Sequence, residues 1–220
     1  MIEQIEIRSL LPCVFAGMED TDRIRSSQIW EEPSFVFHRG CRLCVHAESG
    51  NGKSSLLHFI YGSRKDYKGS ILFDGTDISA LSIAQWCDVR TKGIALLPQD
   101  MALFPELTVG QNIDLKNNMT HHKSSEQIKD LLARLGIDDK HDVAAGKLSI
   151  GQMQRVALVR AVCQPFDFIF LDEPVSHLDA RNNKIVADII TEEANNQGAG
   201  IISTSVGNHL MLDNAKFVSL

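Results

Sequence analysis

Residues 47–55 read Ala-Glu-Ser-Gly-Asn-Gly-Lys-Ser-Ser, and this stretch restricts the fold more than any other. It follows the pattern G-x-x-x-x-G-K-[ST] except at its first position, where Ala47 stands in place of glycine. The chemistry behind the pattern is specific. A glycine-rich turn lets successive backbone N–H groups converge on phosphate oxygens. Lys53 then reaches the outer phosphates, and the Ser54 hydroxyl is a ligand for Mg²⁺. The loop works only between a strand and a helix N-terminus, whose positive end faces the same anion. Residues 41–46 read as that strand and residues 55–60 as the helix start. A glycine and serine turn before a helix is often an ordinary loop, so the context gives the motif its weight.

A phosphate loop also needs an acidic partner for the metal. Phe168-Ile169-Phe170-Leu171-Asp172-Glu173 supplies one. The apolar run is a buried parallel strand, which puts Asp172 at its C-terminal end. In doubly wound sheets ligands bind at that edge. Asp172 is expected to position Mg²⁺, and Glu173 to polarise an attacking water as general base.

The remaining segments read as strands at 1–8, 34–37, 41–46, 69–73, 94–97, 168–171, 199–204 and 216–220. Residues 16–28 are polar and read as a loop. Helices are expected from Thr108 through Ile113, from Ser124 or Ser125 to Leu135 with Gly136 as the stop, from Gly151 to Cys163, and over 182–195. Strands alternate with helices at both ends while a helical block fills the middle, which predicts an α/β core with an inserted helical subdomain.

Bulk properties narrow the class further. A chain of 220 residues that is 44% hydrophobic suits one α/β domain with a subdomain. The net charge of −6, without a block of like charges, argues against a nucleic-acid surface. No apolar run approaches the roughly 18 residues of a membrane span, and the acidic, alternating N-terminus reads as an edge strand and not as a signal peptide. These features lead to an expectation of a soluble intracellular protein able to dock on a membrane partner. Cys41 and Cys44 form a C-x-x-C, but an extended strand points them to opposite faces, so reduced thiols are expected.

Here the chain resembles a known family. Asp172-Glu173-Pro174 with Ser176-His177-Leu178-Asp179 resembles the Walker B motif and D-loop of ATP-binding cassette (ABC) ATPases. Leu148-Ser149-Ile150-Gly151-Gln152 resembles the L-S-G-G-Q signature, and Met153 to Ala161 the helix behind it. Leu97-Pro98-Gln99 resembles the Q-loop, and residues 103–113 resemble the stretch that follows it in importers, lipoprotein-releasing complexes and macrolide-exporter-like complexes. The resemblance covers nearly all of residues 1–220. It implies a P-loop NTPase core with a mostly parallel sheet and an N-terminal antiparallel β portion. That core would take residues 1–100 and 164–220, and a helical subdomain about 101–163. It implies an ATPase that uses ATP and Mg²⁺ and works as a head-to-tail dimer with itself or a homologous cassette. A separate membrane-spanning subunit would dock beside Gln99, placing the chain in the cytoplasm, peripheral on the inner face of the cell membrane.

For the site residues, the resemblance implies that Ser49, Gly50, Asn51, Gly52, Lys53, Ser54 and Ser55 hold the nucleotide. Phe15, with Trp30 as rival, would stack on adenine. Glu173, Lys53 and Gln99 would be catalytic, and Ser54, Gln99 and Asp172 would hold the metal. Ser149, Ile150, Gly151 and Gln152 would reach the partner's nucleotide, with Asp179 near the dimer seam.

The chain departs from the family at three points. Ala47 opens the phosphate loop, Ile150 replaces a signature glycine, and Ser205 occupies the switch-histidine position. A hydroxyl is shorter than imidazole and carries no positive charge, so slow hydrolysis is expected. His209 could replace the missing imidazole only if its loop were shifted. An ATP-gated signalling module with little turnover and a soluble non-transport ATPase are the alternatives.

Overall fold

The computed structural model describes residues 1–18, 20–48 and 50–220. Two sheets organise it. The first is antiparallel, with β2 (Ser34–His38), β1 (Gln4–Pro12), β4 (Tyr67–Phe73) and β5 (Thr76–Asp77) in that spatial order. The second is parallel, in the order β6 (Ile94–Leu97), β7 (Phe168–Asp172), β8 (Gly200–Ser205), β3 (Arg42–His46), β9 (Lys216–Ser219).

The helices are α1 (Asp22–Arg25), α2 (Lys53–Ile60), α3 (Ile83–Asp88), α4 (Val109–Thr120), α5 (Ser125–Arg134), α6 (Ile150–Val162) and α7 (Ala180–Gln197). Of these, α4, α5 and α6 lie between β6 and β7 in the chain.

The side-chain alternation of β7 shows how the layers stack. Phe168 and Phe170 enter a core shared with α2 and the inner face of the antiparallel sheet. Ile169 and Leu171 enter a second core shared with α4, α5, α6 and α7. Each fully buried aliphatic or aromatic side chain contributes about 1.5–3 kcal/mol, so a strand apolar on both faces is stabilised from two sides. Because β3, β6, β7 and β8 run parallel, their C-terminal ends share one edge. That edge carries the phosphate loop, Gln99, the Asp172–Glu173 pair and Ser205.

Several expectations need correction. The N-terminal strand is not an edge: β1 pairs with both β2 and β4. Its alternation correctly marks one buried face, with Ile5 and Ile7 in the core, but pairing on both sides depends on chain far away in sequence. The loop at 16–28 holds a one-turn helix, because Ile24 and Ile29 are drawn into the core. Helix α3 and the π-helical turn Val89–Gly93 after it were not expected, and α4 runs on to Thr120. Thr108 and Ser124 do cap their helices, and Gly136 takes the left-handed φ of +63° that stops the second. Cys41 is half-buried and Cys44 buried, both as free thiols; burial pushes the Cys41 thiol up to about 11.

Candidate active site

Strand β3 delivers the chain into the phosphate loop, and α2 leaves it at Lys53. Gly52 sits at φ +94° beneath two rings. A Cβ there would lie 3.3 Å from Trp30 Cζ2 and 3.4 Å from Phe15 Cε2, so backbone and packing both favour glycine. Ala47 is not among the residues with positive φ, which explains why alanine is tolerated; its N–H donates to the Ser205 carbonyl at 3.4 Å. Ser49 lies outside the described residues.

Lys53 is buried, and its Nζ donates to the carbonyls of Ala47 (3.0 Å) and Glu48 (3.1 Å). Burial pulls its pKa down, and the carboxylates of Glu173 and Asp172 oppose that pull.

Asp172, 2% exposed, ends β7. The Thr204 hydroxyl donates to its Oδ1 at 2.6 Å. Its Oδ2 is buried with no hydrogen-bond partner among the described residues. The same Thr204 oxygen accepts from the Glu173 N–H at 3.1 Å. Glu173 takes a left-handed φ of +50°, which strains a non-glycine residue, and Gln154 Nε2 on α6 holds its carbonyl at 3.0 Å.

Two hollows meet here. One, about 200 Å³, is lined by Phe15, Gly50, Gly52, Lys53, Ser54, Ser55, Gln99 and Glu173, with Val14 at its rim. The other, about 330 Å³, is lined by Ser54, Gln99 and Asp172 among others. Ser54 and Gln99 line both. A larger hollow, about 740 Å³, lies on the other flank of the loop, lined by Asn51 and Ser205 but also by Asp22 and Glu48. Those carboxylates disfavour a polyphosphate there.

The signature residues stand apart from these hollows. Ser149 caps α6 reciprocally with Gln152: Ser149 Oγ accepts from the Gln152 N–H at 3.3 Å, and Gln152 Oε1 accepts from the Ser149 N–H at 2.9 Å. Ile150 is 51% exposed. A Cβ on Gly151 would lie 3.2 Å from the His177 carbonyl, so the turn after Glu173 packs on the head of α6. Asp179 caps α7 by accepting from the Asn182 N–H at 2.8 Å, which holds its carboxyl below the usual range.

Ser205 is 3% exposed, its Oγ 3.6 Å from Cys44 Sγ, on the face of β8 opposite to Thr204. His209 rests on Phe217, ring centroids 5.1 Å apart, and lines neither hollow around Lys53. Phe15 and Trp30 are both buried. Sequence reasoning missed Thr204 and Gln154. The pairing of Asp172 with Thr204 is a register fact between parallel strands, and only neighbourhood to Ser205 hinted at it.

Beyond Gln99 lies a cluster of cations. Arg160 donates to the carbonyls of Met101 (2.6 Å) and Ala102 (2.7 Å), Lys116 to that of Arg90 (3.4 Å), and Arg90 stacks over Tyr61 and Trp86. Burial, then Arg160 and Arg90, lower the Lys116 pKa.

A loop of this form facing an acidic strand end defines a nucleotide-binding ATPase, and comparison with known proteins gives the family. Residues 30–176 match the model of the ABC transporter family. The lipoprotein-releasing system ATP-binding protein LolD of Buchnera aphidicola is 31% identical over 175 residues, 78% of this chain and 76% of that protein. The ABC transporter ATP-binding protein YtrE of Bacillus subtilis is 30% identical over 167 residues, 74% of this chain and 72% of that protein. The dimeric structure of the bacterial ABC transporter cassette MJ0796 superposes with a TM-score of 0.75 at 18% identity, covering 98% and 94% of the two chains, a likeness of fold. The chain belongs to the ABC transporter family, as one of its ATP-binding, ATP-hydrolysing subunits.

Proposed function

We propose that the chain closes head to tail on a second cassette around Mg-ATP, hydrolyses it slowly, and thereby drives a separate membrane subunit from the cytoplasmic side. One observation carries the dimer: the start of α6 is an anion site by its geometry, yet Ser149, Ile150, Gly151 and Gln152 line neither hollow around Lys53. A second copy must bring that helix to the nucleotide. The Asp179 turn, packed behind it, would lie at the seam.

In this reading Ser49, Gly50, Gly52 and Ser55 belong to the loop that wraps the phosphates. Lys53 neutralises the outer phosphates, and Phe15 lines the mouth on the adenine side. Glu173 accepts a proton from the attacking water, held in place by Thr204 and Gln154. The oxygens of Ser54, Asp172 and Gln99 fit a hard cation, since Asp172 Oδ2 is buried with no other partner among the described residues. When bound, Mg²⁺ supplies Lewis-acid neutralisation of the phosphate charge.

Ser205 supports the slow rate, because its hydroxyl is buried against Cys44. The same contact favours a second reading, in which ATP closure alone is the signal and turnover is minimal. The helical segment at about 101–163 would act as the moving arm. No helix among the described residues is long and apolar enough to cross a membrane. The cations Arg90, Lys116 and Arg160 beyond Gln99, with exposed Phe104, Leu115 and Met119 in the segment 104–119, suit a cytoplasmic helix of the membrane subunit bearing acidic side chains.

Phosphate release from Mg-ATP tests the proposal. Slow turnover, abolished in Lys53→Ala, is expected. A wild-type rate near an ordinary enzyme's, about 10 s⁻¹, and unchanged in Ser205→Ala, would contradict the slow step. A wild type that forms a stable ATP dimer without turnover would favour the second reading.

A further inference from the structure

Trp30 is 6% exposed and held from behind by Ser27, whose Oγ accepts from the N–H groups of Ile29 (3.2 Å) and Trp30 (2.8 Å). Its indole Nε1–H donates to the carbonyl of Asn51 at 3.2 Å, and its ring edge abuts Gly52. No peptide among the described residues is cis, so the C=O of Asn51 and the N–H of Gly52, which share one plane, point in opposite directions.

We propose that Trp30 is a positioning residue of the phosphate loop: by holding the Asn51 carbonyl on the core side, it turns the Gly52 N–H outward to the phosphates. The inference rests on the reading of residues 47–54 as the phosphate-binding loop. A peptide next to glycine rotates at little cost, since Gly52 reaches either sign of φ. With the plane reversed, a carbonyl dipole would face the anion and one donor would be lost. The side chain of Asn51 is tied down as well, its Nδ2 donating to the Leu220 carbonyl at 3.4 Å. The position of Trp30 is therefore set by the core, and the peptide is set by Trp30. Trp86, the chain's other tryptophan, lies elsewhere, against Gly62 and Arg90.

Trp30→Phe removes the N–H, together with the outer ring edge (Cζ2) that lies against Gly52. ADP binding by calorimetry, with ATP turnover alongside, reads its effect. The variant should bind ADP about three- to tenfold more weakly, the range for one lost hydrogen bond, with KM for ATP rising and kcat changing less. In wild-type protein labelled with ¹⁵N, the Gly52 amide should shift on adding ADP, and that shift should shrink in Trp30→Phe.

ADP affinity within twofold of wild type in a folded Trp30→Phe protein overturns the proposal. So does a wild-type Gly52 amide that stays unmoved while ADP binds. If Trp30→Phe does not fold, the wild-type amide shift decides. Should wild type bind no ADP at all, the phosphate-loop reading itself fails, a result distinct from either of these.

Discussion

The two helix ends proposed to hold the nucleotide's phosphates are built differently. The head of α2 is closed in: Lys53 is buried, Gly52 lies under two rings, and Asp172 and Glu173 are held by Thr204 and Gln154. The head of α6 is open, with Ser149 exposed and Ile150 half in solvent. The closed end makes its polar contacts within one chain. The open end satisfies its own first turn with a capping box and presents the rest outward. In the proposed dimer the bare end of one copy completes the closed end of the other.

The largest effect should come from the closed end. Glu173→Gln removes the proposed base and should lower kcat by about 10²–10⁴-fold while leaving ATP bound, measured by phosphate release and by retained nucleotide. Thr204→Val removes the hydroxyl that serves both Asp172 and Glu173. It should cost about 10–100-fold in kcat, with ADP affinity in the absence of metal nearly unchanged.

At the open end, Ile150→Gly removes an exposed branched side chain that faces the second copy in the proposed dimer. Turnover should rise by about three- to tenfold, the range of one modest contact, with no change in the affinity of the monomer for ADP. A fall in turnover would mean that Ile150 packs at the seam instead of crowding it.

The smallest effect concerns Asp179. Its folded pKa is depressed, chiefly by the Asn182 N–H, so the cap stabilises the fold above the unfolded carboxylate value and loses that effect as pH falls through the lower folded one. Asp179→Ala should lower Tm by a few degrees at pH 7, and the gap should close below about pH 4.

Much of this was legible in residue order, for physical reasons. The loop at 47–54 announces itself because lysine, glycine and hydroxyl must be adjacent along the chain to surround one anion. The strand before Asp172 shows itself as an unbroken apolar run because both faces are buried. What stayed hidden depends on distant pairing. The central place of β1 comes from β4, which returns from beyond α2. Thr204 matters through its register with Asp172, and Trp30 through a single N–H that packing brings to Asn51. His122, in the polar turn before α5, is half-buried, its Nε2 without a partner among the described residues and its pKa lowered by burial. Local pattern could not reveal that Glu193 on α7 reaches this turn through its ion pair with Lys123.

The central claim is that one chain's closed end works only with another chain's open end. Mixing two disabled proteins tests it directly: Lys53→Ala, which cripples the loop, and Ser149→Arg, which blocks the head of α6. Each alone should be inactive, and an equal mixture should regain up to about a quarter of wild-type turnover, since half the pairs are mixed and each holds one intact site. Full activity in Ser149→Arg alone, or a mixture no better than its parents, would contradict the account.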